Sequence, residues 1–113
     1  MATMQVESTE YIYIGVTGTP PTGGAEVAFM PAAQRPSSGD WVDALVVDDD
    51  QDALWADAQA SGVTGDYYLA RLVGPFGDND VVLEAGDYQV WVRLTDTVEQ
   101  PVRIADTLEV LGS

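Results

Sequence analysis

Carboxylates are the only abundant ionisable groups in this chain. Nineteen Asp and Glu stand against four Arg (Arg35, Arg71, Arg93, Arg103), and His, Cys and Lys are absent from all 113 residues. The commonest general base, the thiol nucleophile and the nitrogen or sulfur ligands of zinc are thereby excluded. Without Lys there is neither a Schiff base nor a Walker-type phosphate loop. A carboxylate pair of the kind that hydrolyses glycosides remains chemically open. Nothing in the spacing singles out one pair, so the expectation is a protein that is not an enzyme and has no catalytic residues.

Calcium is the one cofactor that the acids bring into question. Asp48-Asp49-Asp50-Gln51-Asp52 and Asp78-Asn79-Asp80 are acidic loop runs with oxygen ligands. An EF-hand loop needs a Gly at its sixth position and a Glu at its twelfth. Counted from Asp48, those positions hold Ala53 and Gln59. The motif fails, and both runs read as solvated turns; no metal and no cofactor is expected.

The residues with most to offer a partner are aromatic. Trp91 and Arg93 alternate with Tyr88, Val90 and Val92, so they lie on the opposite face of a strand, away from the core. An exposed Trp beside an Arg is the composition of an interface hot spot. The alternative is that a loop covers Trp91, or that an Arg stacks on it. Tyr11 and Tyr13 occupy the first, edge-prone strand and are secondary docking candidates.

The elements that must position these residues are strands. Turn signals recur at Gly18–Gly24, Arg35–Asp40, Gly62–Asp66, Gly74–Asp80 and Glu84–Asp87, which argues for a sandwich or barrel. Between them, Tyr11 to Val16 alternates with period two, as do Glu26 to Phe29, Tyr67 to Val73 and, most clearly, Tyr88 to Thr95. Trp41 to Val47 is apolar on both faces, which predicts a central strand. Val102 to Val110 forms the last strand, with a bulge expected at Ala105-Asp106, where the pattern stumbles. Ala53 to Ala60 is ambiguous between a short helical turn, with Leu54 and Ala58 on one side, and an edge strand carrying Trp55. It reads as a connection.

Gly86-Asp87-Tyr88 at the mouth of its strand matches a tyrosine corner, in which the hydroxyl bonds back to a backbone group a few residues upstream. Where antibody domains carry Cys two residues after that Tyr, this chain has Val90, so packing alone must close the core. The predicted fold is all-β: one immunoglobulin-like antiparallel β-sandwich of about seven strands spanning residues 1–113.

Composition bounds the partners. A net charge of −15 disfavours nucleic acid and anionic membranes, because neither finds the basic face it needs. No run approaches the length of a membrane span, and Met1 to Gln5 lacks the features of a secretory signal; a soluble chain is expected. The acidity itself reads as solubility, as docking on a basic partner, or as adaptation to high salt.

Three segments together resemble the small immunoglobulin-like virion proteins of tailed phages of actinobacteria. They are Ser8 to Ile14, Asp66 to Pro75, and Leu83 to Asp96 followed by Glu99 to Arg103, in that order, with Trp41 between the first two. The resemblance implies a head decoration or minor capsid component bound to the major capsid protein lattice or other virion proteins, and it leaves room for a homo-oligomer on the particle. It implies a place on the capsid surface after assembly in the host cytoplasm. The chain departs from the pattern in its acidity, which leaves room for a virus of a salt-loving archaeon, and in an acidic insertion around Asp48 to Ala60. A tail, baseplate or head-to-tail connector component is the alternative within the particle. A module that recognises host glycans through Trp55 and Tyr67 is the alternative outside that class.

Overall fold

Each strongly alternating run forms a strand, because period two puts one apolar face against a second layer. The computed structural model describes residues 2–77, 79, 81–96 and 100–112. In chain order the elements are β1 (Ala2–Gln5), β2 (Glu10–Val16), β3 (Ala25–Pro31), β4 (Val42–Val47), α1 (Ala53–Ala60), β5 (Tyr67–Val73), β6 (Gly86–Leu94) and β7 (Val102–Leu111). Hydrogen-bonded neighbours run β1-β7-β6-β3-β4-β5-β2. All pairs are antiparallel except β1 with β7, where Ala2 to Gln5 run parallel to Leu108 to Leu111. The sheet is therefore mixed, a correction to the purely antiparallel expectation.

Strand β4 turns this single ladder into a sandwich. Its first half, Val42 to Ala44, pairs with β3, and its second half, Leu45 to Val47, pairs with β5. One layer holds β1, β7, β6, β3 and the start of β4; the other holds the end of β4, β5 and β2. The groupings β3-β6-β7 and β4-β5-β2 reproduce the two sheets of an immunoglobulin-like sandwich. Strand β4 is thus a crossing strand, not the central one its two apolar faces predict. Its inner residues Val42, Ala44 and Val46 pack on the core, while Val47 on the outer side is covered by other residues.

Three apolar clusters follow from this layering. The main core lies between the layers and joins Ile12, Ile14, Tyr67 and Leu69 to Val27, Val90, Val92 and Leu108. A second lies outside the β2-β5 layer, where Tyr13, Val47, Tyr68 and Ala70 close on Ala58 of α1. A third lies outside the β3-β6 layer: Ala28, Met30 and Trp91, with Trp41 beside them.

Helix α1 resolves the ambiguity of Ala53 to Ala60. Asp52 caps it, accepting from the Leu54 N–H at 3.0 Å, which satisfies one of the orphan donors of the first turn. Leu54 and Trp55 then pack on the second cluster. The chain leaves through Gly62 at φ +90°, a conformation glycine reaches without strain. The expected bulge is present: Val90 faces Asp106 while the next residue, Trp91, faces Ile104, which leaves Ala105 unopposed. Gly74 ends β5 at φ +135°, where a Cβ would lie 2.2 Å from the Ser8 carbonyl oxygen. Only glycine lets these two loops approach so closely.

Candidate functional site

The tyrosine corner forms as its sequence suggests. Tyr88 opens β6, and its hydroxyl donates to the Glu84 carbonyl at 2.8 Å. Burial pushes its phenol up, and the Glu84 carboxylate adds to the effect.

The Trp91 and Arg93 pair lies on the outer face of β6, as alternation requires, but Trp91 is not exposed. It retains 7% of its surface, since the chain between β3 and β4 folds over it and Arg35 sets its guanidinium 5.3 Å from the ring centre. Residues Ala32 to Arg35 of that cover are all exposed, and Ala33 sits at φ 68°, an uncommon state for a residue with a Cβ. The indole Nε1 is buried without an acceptor among the described residues. Arg93 is stacked on Trp41 at 4.6 Å and donates to Glu26 Oε1 at 2.6 Å. The expectation of an open Trp–Arg hot spot is corrected here: both side chains are spent within the fold. Periodicity assigns a face, and it carries no information about a loop that later closes on that face.

Tyr11 and Tyr13 sit on β2, a true edge strand that pairs with β5 alone among the described residues. Both side chains face outward. Their rings lie 6.1 Å apart. Tyr13 is buried and donates its hydroxyl to Asp57 of α1 at 2.5 Å; burial first, then the Asp57 carboxylate, raise its phenol above the ordinary range. The aromatic pair proposed for glycan recognition is not a platform. Tyr67 is 1% exposed within the main core, and Trp55 rests edge-on against Tyr68 at 4.9 Å.

The acidic run before α1 is occupied in shaping its turn. Asp49 accepts from the Gln51 N–H, Asp50 from the Gln51 side chain, and Asp52 caps the helix. Asp78 and Asp80 lie outside the described residues. Among those described, no three acids come together in a way that would hold a metal ion.

What the sequence did not indicate is a groove of about 470 Å³ along the free edge of β2. It is lined by Glu10 to Tyr13, by Ser61, Gly62 and Val63 after α1, and across the slot by Ala2, Thr3 and Asp106. Nearby, β1 covers only Leu108 to Leu111 of β7. The stretch from Val102 to Thr107 has no second neighbour among the described residues, and Val102 and Ile104 are 43% and 47% exposed there. On this side, β2 in one layer and the first half of β7 in the other therefore leave strand edge uncovered among the described residues, while β1 closes the end of β7.

Comparison with known proteins adds no relative. No family model, no curated protein and no solved structure matches the chain. The fold and the surfaces above are accordingly the basis for any functional reading.

Proposed function

We propose that the chain is a viral structural protein: an immunoglobulin-like capsid decoration or minor capsid component that binds the major capsid protein lattice, without catalysis. The observation that carries this reading is the open side of the sandwich, where β2 and the first half of β7 each present a strand edge without a strand neighbour among the described residues. Edges of this kind recruit other chains unless they are blunted. The order of the segments Ser8 to Ile14, Asp66 to Pro75 and Leu83 to Asp96 supports the reading further. They build β2, its partner β5 and the cornered strand β6, the frame of the sandwich.

A single edge contact is weak, and repetition over a lattice converts weak contacts into stable attachment through effective concentration. The acidic surface then faces solvent and keeps copies apart. Density-gradient purification of particles from the producing culture, followed by quantitative mass spectrometry, tests the proposal. Hundreds of copies per particle are expected. A dozen or fewer would assign the chain to the tail or connector instead, and its absence from the particle fraction would overturn the virion reading.

A further inference from the structure

We infer that the free edge of β2 accepts an extended, positively charged segment of another protein as an added strand. This rests on the reading of the chain as an assembly module, though not on the partner being a capsid protein.

Three observations carry it. The first is a pairing vacancy. In a strand paired on one side, every second residue turns its N–H and C=O the other way. Among the described residues, strand β2, seven residues long, is hydrogen-bonded through its backbone to β5 alone, apart from the Val16 carbonyl, which accepts from the Asp66 N–H. Its outward groups beside the groove are therefore open to main-chain pairing, the interaction that strand addition uses.

The second is that the middle of this edge, from Tyr11 to Ile14, carries neither Pro, charge nor bulge. Natural edges are blunted by Pro, by charged side chains, by bulges or by a covering helix or loop. The free stretch of β7 has two such devices, Arg103 and the bulge at Ala105. Strand β2 has fewer among the described residues: Tyr11 to Val16 contains no Pro and no charge and its register with β5 is unbroken, which leaves Glu10 at its start and the loop that crosses it at Gly15.

The third is the shape and charge of the slot. Its lining takes Glu10 to Tyr13 of β2, a length of about 13 Å for four extended residues. It closes beyond them, where Thr64 crosses Gly15 so tightly that a Cβ on Gly15 would lie 1.9 Å from the Thr64 oxygen. Both charged residues that line it, Glu10 and Asp106, are acidic, and the chain carries −15 overall. A second copy of this chain would bring the same sign of charge to the same edge. A segment with arginine or lysine at alternate positions complements it.

The test uses a synthetic nine-residue peptide alternating arginine with valine, titrated into the ¹⁵N-labelled protein. Two further versions carry N-methyl groups on alternate residues, one in each phase. Binding should shift and protect amides of Glu10 to Tyr13, weaken at least tenfold from 50 to 500 mM salt (values chosen to span strong and weak screening), and weaken at least tenfold in Glu10→Lys. One methylation phase should abolish it while the other keeps it, because only one edge of the peptide meets β2. Equal binding by both methylated forms would show charge attraction without strand pairing and overturn the inference. So would shifts scattered over the acidic surface, no binding at millimolar peptide, or self-association through β2 in the peptide's absence. None of these outcomes bears on whether the chain is found in particles.

Discussion

The Tyr13 hydroxyl reaches the Asp57 carboxylate across 44 residues of sequence and ties the edge strand β2 to helix α1. The bond fixes the helix over the outer face of the β2-β5 layer, where Ala58 is fully buried against Tyr13, Val47, Tyr68 and Ala70. Tyr13→Phe keeps the ring and removes the bond. A hydrogen bond to a charged group contributes about 1.5–3 kcal/mol, and the exposure of Asp57 places the loss near the lower end. Urea unfolding should show it, with faster amide exchange confined to α1. Uniformly faster exchange would mean that the bond holds the whole sandwich and not the helix.

The corner bond offers a second measurement. Tyr88→Phe deletes the link to the Glu84 carbonyl and should cost about 1 kcal/mol. An unchanged urea midpoint would show that the hydroxyl is equally well served by water.

Alkali should unfold the protein through its phenols. Burial raises Tyr13, Tyr67 and Tyr88 in the folded state, whereas in the unfolded chain tyrosine ionises near about 10. A raised folded value means that stability is complete below that pH and is lost as pH climbs above it. Thermal midpoints should hold steady between pH 7 and 9 and fall beyond about 10; Tyr13→Phe should fall less steeply. A midpoint independent of pH up to 11 would contradict the burial of these groups.

Trp91 separates packing from polarity. Trp91→Ala empties the cluster formed with Ala28 and Met30 and should cost about 3–5 kcal/mol. Trp91→Phe should cost far less. It keeps an aromatic ring and removes a buried N–H without an acceptor, which returns about 1–3 kcal/mol of desolvation penalty. Arg35→Ala should leave stability nearly unchanged while raising acrylamide quenching of Trp91 in a background where Trp41 and Trp55 are Phe. Unaltered quenching would mean that the rest of the loop, not Arg35, shields the indole.

Charge repulsion predicts a salt effect. With −15 on 113 residues, the folded state carries self-repulsion that screening relieves. Raising sodium chloride from 10 to 150 mM should lift the thermal midpoint by several degrees, roughly 1 kcal/mol in a domain of this size. A midpoint that falls with salt would show that attractive pairs such as Arg93–Glu26 outweigh the repulsion.

Much of this architecture was written in period-two burial. Strands β2, β3, β5, β6 and β7, the interruption at Ala105 and the corner at Tyr88 are all visible because each depends on neighbouring residues. What escaped depends on distant ones. Strand β1 is four residues long, too short to show an alternation, and its parallel pairing with β7 joins opposite ends of the chain. Helix α1 has Leu54, Trp55 and Ala58 to face inward, and only the aromatic layer beneath it decides between helix and strand. The outward position of Trp91 was legible; its cover was not, because polar residues from Gln34 to Asp40 carry no periodic signal. The groove beside β2 is a property of what fails to pair, and no single segment encodes it.

Because β4 passes from one layer to the other, the two halves are bound like the covers of a book, with covalent backbone for a spine. The opposite side is the fore-edge, where residues 6–9 stitch β1 to β2 and where β2 and the first half of β7 have no strand neighbour among the described residues. Force applied at that margin would spread the covers against the hydrocarbon between them, and whatever lodges there acts as a clasp. The resistance of this fold to being pulled apart should therefore depend on direction: high along the spine, and at the fore-edge set by the short β1–β2 link and by what occupies the slot beside it.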